Sequence, residues 1–195
     1  MEIDSANRDM YREMTTVTVP RPIGWISTVD AEGRDNLAPF SHYNNVCAGS
    51  PSPPVVMFSS DIHDETLKDT PRNVLETEEF VVNLVTESLV EQMDTTSDSI
   101  APEESEFDFA GIEREDSVAV SPPRVAESPV NVECTLYDSM RVYNHLVILG
   151  DVVHVHVDDA LLTDGKVDVH KIDAVGRLGG SRYASVQVHD FERSH

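Results

Sequence analysis

Basic residues are scarce in this chain. Lys and Arg together number 14 against 36 Asp and Glu, which gives a formal net charge of −22 at pH 7. Only three of the basic residues are lysines: Lys68, Lys166 and Lys171. Because a protein that binds nucleic acid needs a basic footprint, this composition argues against a nucleic-acid partner.

Cysteines, aromatic residues and long apolar runs are also few. Cys47 and Cys134 are too few for a disulfide framework in 195 residues, and both lie in or beside apolar stretches, so we expect buried free thiols. No apolar run approaches the roughly 20 residues of a membrane span, and no signal peptide opens the chain, so we expect a cytoplasmic protein with no membrane partner. Aromatics make up 6% of the residues, which predicts a core of Val, Ile and Leu and favours strands.

The acidic residues are spread along most of the chain. A disordered acidic protein is one interpretation, but the regular apolar runs argue against it. At molar salt the Debye length falls to roughly 3 Å, which screens the self-repulsion of such a surface. The composition resembles that of salt-adapted, haloarchaeal-type proteins, and we expect a halophilic protein.

Apolar runs of strand length recur along the chain. They cover 23–29, 36–41, 55–58, 80–85, 129–137, 145–157 and 186–191. A turn with Gly33 joins the first two as a hairpin, and Gly150 predicts a β-bulge. Short helices are predicted at 7–14, about 70–77 and 88–93, with extended chain at 15–19 and a loop at 41–52. We therefore expect one mainly β domain over 1–195, a barrel or sandwich of antiparallel strands.

Five motifs, in order, resemble the flavin reductase-like proteins with an FMN-binding split barrel. They are Arg21-Pro-Ile-Gly-Trp-Ile-Ser-Thr, Asn36-Leu-Ala-Pro-Phe-Ser, Pro53-Pro54 before a strand, Lys68-Asp-Thr and Phe80-Val-Val-Asn. The resemblance covers about residues 14–190. It implies a split β-barrel with a few short helices, a noncovalent FMN cofactor, NADH or NADPH as electron donor, and a homodimer.

A candidate phosphate site lies at Lys68-Asp69-Thr70. Lys68 supplies positive charge, and a helix that starts near Thr70 supplies free backbone N–H groups. Ser59 and Ser60, at the end of the third strand, add hydroxyls. The alternative is a solvated lysine before an ordinary capped helix, but lysine is rare here and the resemblance places the FMN phosphate near this motif.

The resemblance also implies contacts with the flavin ring and ribityl chain. The strand after Arg21 lies along the flavin in similar proteins, with Ser27 and Thr28 as hydrogen-bond candidates and Trp25 in the core. Donors near the flavin N5 and O4 edge stabilise the charge that grows there on reduction. The candidates for those donors and for the neighbouring contacts are Ala38, Pro39, Phe40, Ser41 and Asn44.

Two further groups of residues are weaker candidates. His154 and His156 share one face of a strand, but a metal site needs three or more convergent ligands, so no metal is expected. His156 is the candidate for a catalytic position beside the flavin. Arg177, near Gly179 and Gly180, resembles a C-terminal loop that approaches the flavin in similar proteins; an ordinary glycine turn is an equal alternative.

The function expected first is NAD(P)H-dependent reduction of flavin. The reduced flavin would pass electrons to free flavin, a ferric chelate or another small-molecule or protein acceptor. The second interpretation is an FMN-binding electron carrier without nicotinamide turnover, and the third is a different oxidation on a related barrel. An acidic insertion at about 94–116 predicts a loop with a helical turn, pinned by Phe107, Phe109 and Ile112, which is able to reshape the acceptor side.

Overall fold

Strands dominate the computed structural model, which describes residues 2–101 and 103–192. Of the domain expected over 1–195, Met1, Pro102 and residues 193–195 therefore lie outside the described part. The strands are β1 (Arg21–Pro22), β2 (Gly24–Val29), β3 (Asp35–Phe40), β4 (Tyr43–Cys47), β5 (Val55–Asp61), β6 (Glu79–Asn83), β7 (Arg114–Glu115), β8 (Arg124–Val125), β9 (Val130–Val142), β10 (His145–Val157), β11 (Leu162–Thr163), β12 (Lys166–Val167), β13 (Val175–Arg177) and β14 (Tyr183–Ser185).

The helices are few and short. They are α1 (Tyr11–Val17), α2 (Asp69–Thr77), α3 (Val90–Thr95) and α4 (Glu106–Ala110), with single 3-10 turns at Glu87–Leu89, Asp159–Leu161 and Val169–Lys171. None of the helices in the described ranges is long and apolar enough to cross a membrane.

Seven antiparallel strands form the main sheet, in the order β3-β2-β6-β9-β10-β5-β4. The sheet curls until β3 contacts β5, and the rings of Phe40 and Phe58 lie 5.0 Å apart between their centroids. A smaller sheet in the order β1-β13-β14 lies beside it. This curled but unclosed sheet confirms the expected split β-barrel.

Strand alternation gives the main sheet two apolar faces. One face fills the inside of the curl; its largest side chains are those of Phe58, Phe80, Ile26 and Ile148. The other face is covered by α3 and α4 and buries Trp25, Leu37, Met93 and Phe107. Because a strand directs successive side chains to opposite faces, Trp25 and Ile26 belong to different clusters although they are neighbours in sequence.

The acidic insertion is part of the fold. Phe107 is fully buried and Ile112 nearly so, as expected, but Phe109 is 50% exposed. The indole N–H of Trp25 donates to Thr96 Oγ1 at 2.9 Å. The predicted helical turn is α4, and the segment forms a layer over the outer face of the sheet.

Two polar side chains of β9, Asn131 and Glu133, are buried. Glu133 is fully buried, and its carboxylate accepts the backbone N–H groups of Val118 and Ala119 at 2.9 and 2.6 Å. Asn131 donates to Asn83 Oδ1 at 2.8 Å. The segment that covers this face supplies the backbone partners which sequence alternation does not reveal.

Several expected boundaries were wrong. The first helix begins at Tyr11 and runs to Val17, through residues expected to be extended. The expected loop at 41–52 contains β4, which pairs with the edge of β5 and leaves Cys47 exposed, while Cys134 is buried as expected. The last strand is Tyr183–Ser185, which pairs with β13, and 186–191 forms no strand.

Gly150 yields a stability prediction. The ladder between β9 and β10 shifts register at this residue, as expected for a bulge. A Cβ added there would lie 2.6 Å from Cε1 of Phe80 and 3.2 Å from Cβ of Cys134. We expect Gly150→Ala to lower the free energy of unfolding by about 1–3 kcal/mol through overpacking, measured by urea denaturation. In a Phe80→Leu background the same change costs less, and equal costs in both backgrounds would contradict the steric cause.

Candidate functional site

A cleft of about 1730 Å³ runs along the free edge of β3. The start of α2 lies at one side, the segment that carries α3 and α4 at another, and β13 and β14 at the far end. The cleft brings together most of the residues predicted from the sequence. Those that line it are Arg21, Ala38, Pro39, Phe40, Ser41, Ser59, Lys68, Asp69 and Arg177.

Ser27, Thr28 and Thr70 are corrections, because their hydroxyls face the protein interior and do not line the cleft. The Ser27 hydroxyl is fully buried and donates to the backbone carbonyl of Pro123. Thr28 Oγ1 accepts from Asn73 Nδ2 at 3.1 Å, and Thr70 Oγ1 accepts from Asn36 Nδ2 at 2.9 Å. These side chains connect β2, β3 and α2.

Ser60 and Asn44 also lie outside the cleft. The side chains of Ser59 and Asp61 face the cleft, so alternation turns Ser60, which is 2% exposed, into the curl. Asn44 is exposed on the edge strand β4. The two adjacent serines are therefore unable to serve one ligand together.

His156 is the remaining correction. It lies near the end of β10, paired across the ladder with Asn131, and it does not line the cleft. His154 is half-buried nearby. Within the described ranges no group of three or more His, Cys, Asp or Glu side chains is arranged to hold a metal ion.

A basic corner forms where α2 begins. Lys68 is the N-cap residue of α2, and its side chain makes no capping hydrogen bond. Its Nζ lies 2.9 Å from Asp61 Oδ1, and this hydrogen bond lowers the pKa of the Asp61 carboxyl. Arg72 pairs with Asp69 in the same corner. Arg72 was missed from the sequence, although its position four residues after Lys68 puts it on the same helix face.

Arg21 positions the walls of the cleft. It is 8% exposed, and its guanidinium donates to the backbone carbonyls of Thr15, Thr18 and Leu178, the last two at 2.9 and 3.1 Å. A fourth, longer contact reaches Ser41 Oγ at 3.4 Å. Arg21 thus ties the end of α1 to the C-terminal glycine loop, and its donors are already used within the protein.

The edge of β3 offers fewer donors than expected. The Leu37 N–H points away from β2, since it donates to Glu106 Oε2 at 3.0 Å. Alternation then turns the Phe40 N–H toward β2 and places Pro39, which has no N–H, at the next outward position. The next outward N–H belongs to Ser41, so Ser41 is the part of this motif that can donate.

Glu106 brings the acidic insertion to the edge of β3. Burial raises the pKa of its carboxyl, and the nearby charges of Asp69 and Asp35 raise it further, against the opposing hydrogen bond from Leu37. The insertion therefore closes one side of the cleft with a carboxyl group that ionises less readily than an exposed one.

His42 and His145 are two cleft residues that sequence reasoning missed. Their ring centroids are 6.0 Å apart, and the backbone carbonyl of His42 accepts the Ser59 N–H at 2.9 Å. Burial lowers the pKa of His42, with smaller effects from His145 and Arg21. The sequence offered one indication, because His145 lies at the start of the longest predicted strand, whereas His156 lies near the other end of that strand.

Arg177 forms a cluster with Tyr183 and Asp94 at the far end. The guanidinium lies 4.7 Å from the centroid of the Tyr183 ring and 3.6 Å from Asp94 Oδ1. Burial, followed by the hydrogen bond to Asp94, raises the pKa of Tyr183 to about 12. Gly180 lines the cleft with a positive φ of 67°, whereas Gly179 lies outside the cleft.

Comparison with known proteins gives close matches in sequence and fold. An uncharacterized protein of Aquifex aeolicus is 44% identical over 176 residues, or 89% of this chain and 88% of that protein. The Bacillus subtilis protein YwrF is 32% identical over 187 residues, or 92% of this chain and 90% of that protein. These relatives are bacterial and do not support the expected haloarchaeal source.

Solved structures are also similar to this chain over nearly its whole length. Nitrilotriacetate monooxygenase component B from Bacillus cereus has a TM-score of 0.90 and 30% identity, covering 99% of this chain and 98% of that one. The Pseudomonas fluorescens 2-nitrobenzoate 2-nitroreductase NbaA has a TM-score of 0.85 and 27% identity, covering 100% and 99%. The model of the Flavin reductase like domain matches residues 16–171, so this chain belongs to the flavin reductase-like family.

Proposed function

We propose that this chain is an FMN-binding oxidoreductase, in which NADH or NADPH supplies electrons and a small molecule or protein accepts them. The observation that carries the proposal is the basic corner at the start of α2, which opens onto the cleft along β3. When bound, FMN would take a hydride from the reduced nicotinamide and pass the electrons on. The acceptor that we propose is free flavin, a ferric chelate or another oxidant.

The basic corner fits a phosphate monoester. The Lys68 and Arg72 side chains bring two positive charges, and both remain about half exposed, so a ligand can reach them. The first N–H groups of α2 have no capping side chain, and the positive end of a helix favours an anion. Each cation is now paired with a carboxylate, and a phosphate dianion would compete for both cations with greater charge.

The size of the cleft supports two ligands. Sites for one small molecule usually measure about 300–1,000 Å³, and this cleft measures about 1730 Å³. A nicotinamide or acceptor thus has room beside the flavin. This room favours turnover over the alternative, an electron carrier that holds FMN alone.

The remaining roles are proposals of the same kind. Ser59, Lys68 and Asp69 would surround the phosphate, and Ser41 would donate toward the flavin ring. We assign no acid–base residue to the hydride step, because hydride transfer requires position and electrostatics rather than a protein proton donor. A homodimer and a cytoplasmic location also belong to this proposal.

The proposed turnover predicts a spectroscopic result. Protein reconstituted with FMN should lose its flavin absorption bands when NADH or NADPH is added without oxygen, and air should restore them. The experiment is a visible spectrum with each nucleotide in turn, and with NAD⁺ as the control. If the bands persist with both reduced nucleotides, the reductase function is contradicted and the electron-carrier function becomes the better explanation.

A substitution at Lys68 tests the phosphate assignment. Lys68→Ala removes a charged hydrogen-bond donor, so we expect FMN affinity to fall about ten- to hundredfold while riboflavin affinity is unchanged. Fluorescence titration with both flavins measures the difference. Lys166→Ala, on β12 away from the cleft, is the matched control. An equal loss for both flavins, or none, would contradict a phosphate contact at Lys68.

The net charge of −22 predicts stabilisation by salt. We expect the melting temperature to rise steeply between 0.1 and 1 M KCl, where the Debye length falls from about 10 to about 3 Å, and to level off above. Thermal unfolding followed by circular dichroism measures this, with sorbitol of equal osmolality as the control. A melting temperature independent of KCl would rule out salt adaptation through screening.

A further inference from the structure

A second cavity adjoins the cleft at its far end, between α1 and the C-terminal glycine loop at 178–182. This side cavity measures about 620 Å³, a volume typical of a site for one small molecule. Tyr11, Thr15 and Gly180 line both the side cavity and the cleft, so the two spaces meet at these residues. None of the FMN contacts proposed for the cleft lies in the side cavity.

The charge of the side cavity is opposite to that of the chain. Arg12 and Arg182 line it, and no Asp or Glu of the described residues does so. In the sequence, by contrast, 36 acidic residues outnumber 14 basic ones, and the cleft itself is lined by more carboxylates than cations. The side cavity therefore favours a negatively charged ligand.

The two arginines of the side cavity are not held by carboxylates. Neither pairs with any acidic residue in the part of the chain that the structure describes, and both are exposed. Arg182 makes one long contact, 3.5 Å from its Nη1 to the backbone carbonyl of Gly179. Most other arginines have a carboxylate partner; these are Arg8, Arg34, Arg72, Arg114, Arg124, Arg141 and Arg177. Arg12 and Arg182 thus keep their donors available to a ligand.

The walls of the side cavity are fixed to each other by Arg21. Its guanidinium donates to the backbone carbonyl of Thr18 at 2.9 Å, at the end of α1, and to that of Leu178 at 3.1 Å, in the glycine loop. The loop also packs closely on the helix, since a Cβ added to Gly179 would lie 2.9 Å from Thr16 Oγ1. The backbones that carry the two arginines are therefore held in place, which lowers the cost of ordering a bound ligand.

The side chains of the side cavity suit a phosphorylated nucleotide. A guanidinium presents parallel N–H donors that match the oxygens of a phosphate. Tyr11, where the side cavity meets the cleft, is 68% exposed, and an aromatic ring of this kind can stack on a base. In the proposed function, the adenosine half of NADH or NADPH carries a base and phosphates and is joined to a nicotinamide that must reach the cleft.

We propose that the side cavity binds the adenosine half of the nicotinamide dinucleotide, with Arg12 and Arg182 on its phosphates and Tyr11 beside its base. This inference rests on the proposed function. The basic corner lies at the start of α2, whereas the side cavity lies beside the glycine loop. FMN and the electron donor would then each have a phosphate site of their own.

Calorimetric titration of the FMN-loaded protein with ADP and with 2′,5′-ADP tests this proposal, at constant KCl. ADP carries the diphosphate of both donors, and 2′,5′-ADP carries the additional phosphate of NADPH. We expect the double variant Arg12→Gln/Arg182→Gln to bind at least one of these probes about tenfold more weakly, with FMN affinity unchanged. A loss for ADP locates the arginines at the diphosphate, and a loss for 2′,5′-ADP alone locates them at the 2′-phosphate.

The matched control is the double variant Arg8→Gln/Arg141→Gln. It removes the same charge from two arginines that line neither the side cavity nor the cleft, so it should bind both probes and FMN as the wild type does. An equal loss in the control would show that net charge, and not the side cavity, sets the affinity, and would overturn the proposal.

The rate of flavin bleaching gives a second measurement. The Arg12→Gln/Arg182→Gln variant should need about tenfold more NADH or NADPH for its half-maximal rate, with the maximal rate unchanged. This pattern is expected of residues that bind the donor equally before and during hydride transfer. A lower maximal rate at an unchanged half-saturating concentration would contradict a binding role.

The outcomes separate this inference from the proposed function. Suppose that NADH or NADPH bleaches the flavin, but the wild type binds neither probe, or the loss of both arginines changes nothing. The role of the side cavity is then overturned, and the proposed function stands. A flavin that neither nucleotide bleaches would overturn the proposed function and, with it, the donor role of the side cavity.

Discussion

The centre of the main sheet is buried on both faces, and this constraint decides where its polar groups lie. On one side the sheet curls over Phe58 and Phe80, and on the other it is covered by α3, α4 and the segment before β8. Every polar side chain in the middle strands must then find a partner inside the protein. Glu133 meets two backbone N–H groups, and Trp25 meets Thr96. The acidic insertion is thus a structural layer as well as a wall of the cleft.

Charge is distributed unevenly between the surface and the cleft. Six of the 14 basic residues line the cleft, against nine of the 36 acidic ones. The six are Arg21, Arg34, Lys68, Arg72, Arg114 and Arg177. In a chain of such negative charge, the cleft carries a smaller excess of acidic over basic residues than the rest of the chain, so it repels an anion less.

Local motifs and periodicity predicted the fold class, β10, the bulge at Gly150 and the cleft positions of Ser59, Lys68 and Arg177. These sequence signals did not predict which face of a strand each side chain would lie on. Ser60 and Thr28 belong to strands that were placed well, but only the curl of the sheet shows which alternate side chains face the cleft. The approach of His42 to His145 depends on tertiary pairing, so neither local segment alone predicts that these two side chains meet.

The basic corner places two cations beside the cleft of an acidic protein. Lys68 and Arg72 are each held by a carboxylate, so the corner is close to neutral and its side chains are already aimed. Exposed pairs of this kind contribute little to stability, so either cation can leave its carboxylate at little cost. On the buried side of the same helix, Asn73 donates to Thr28, so α2 is fixed to β2 while its two cations stay exposed.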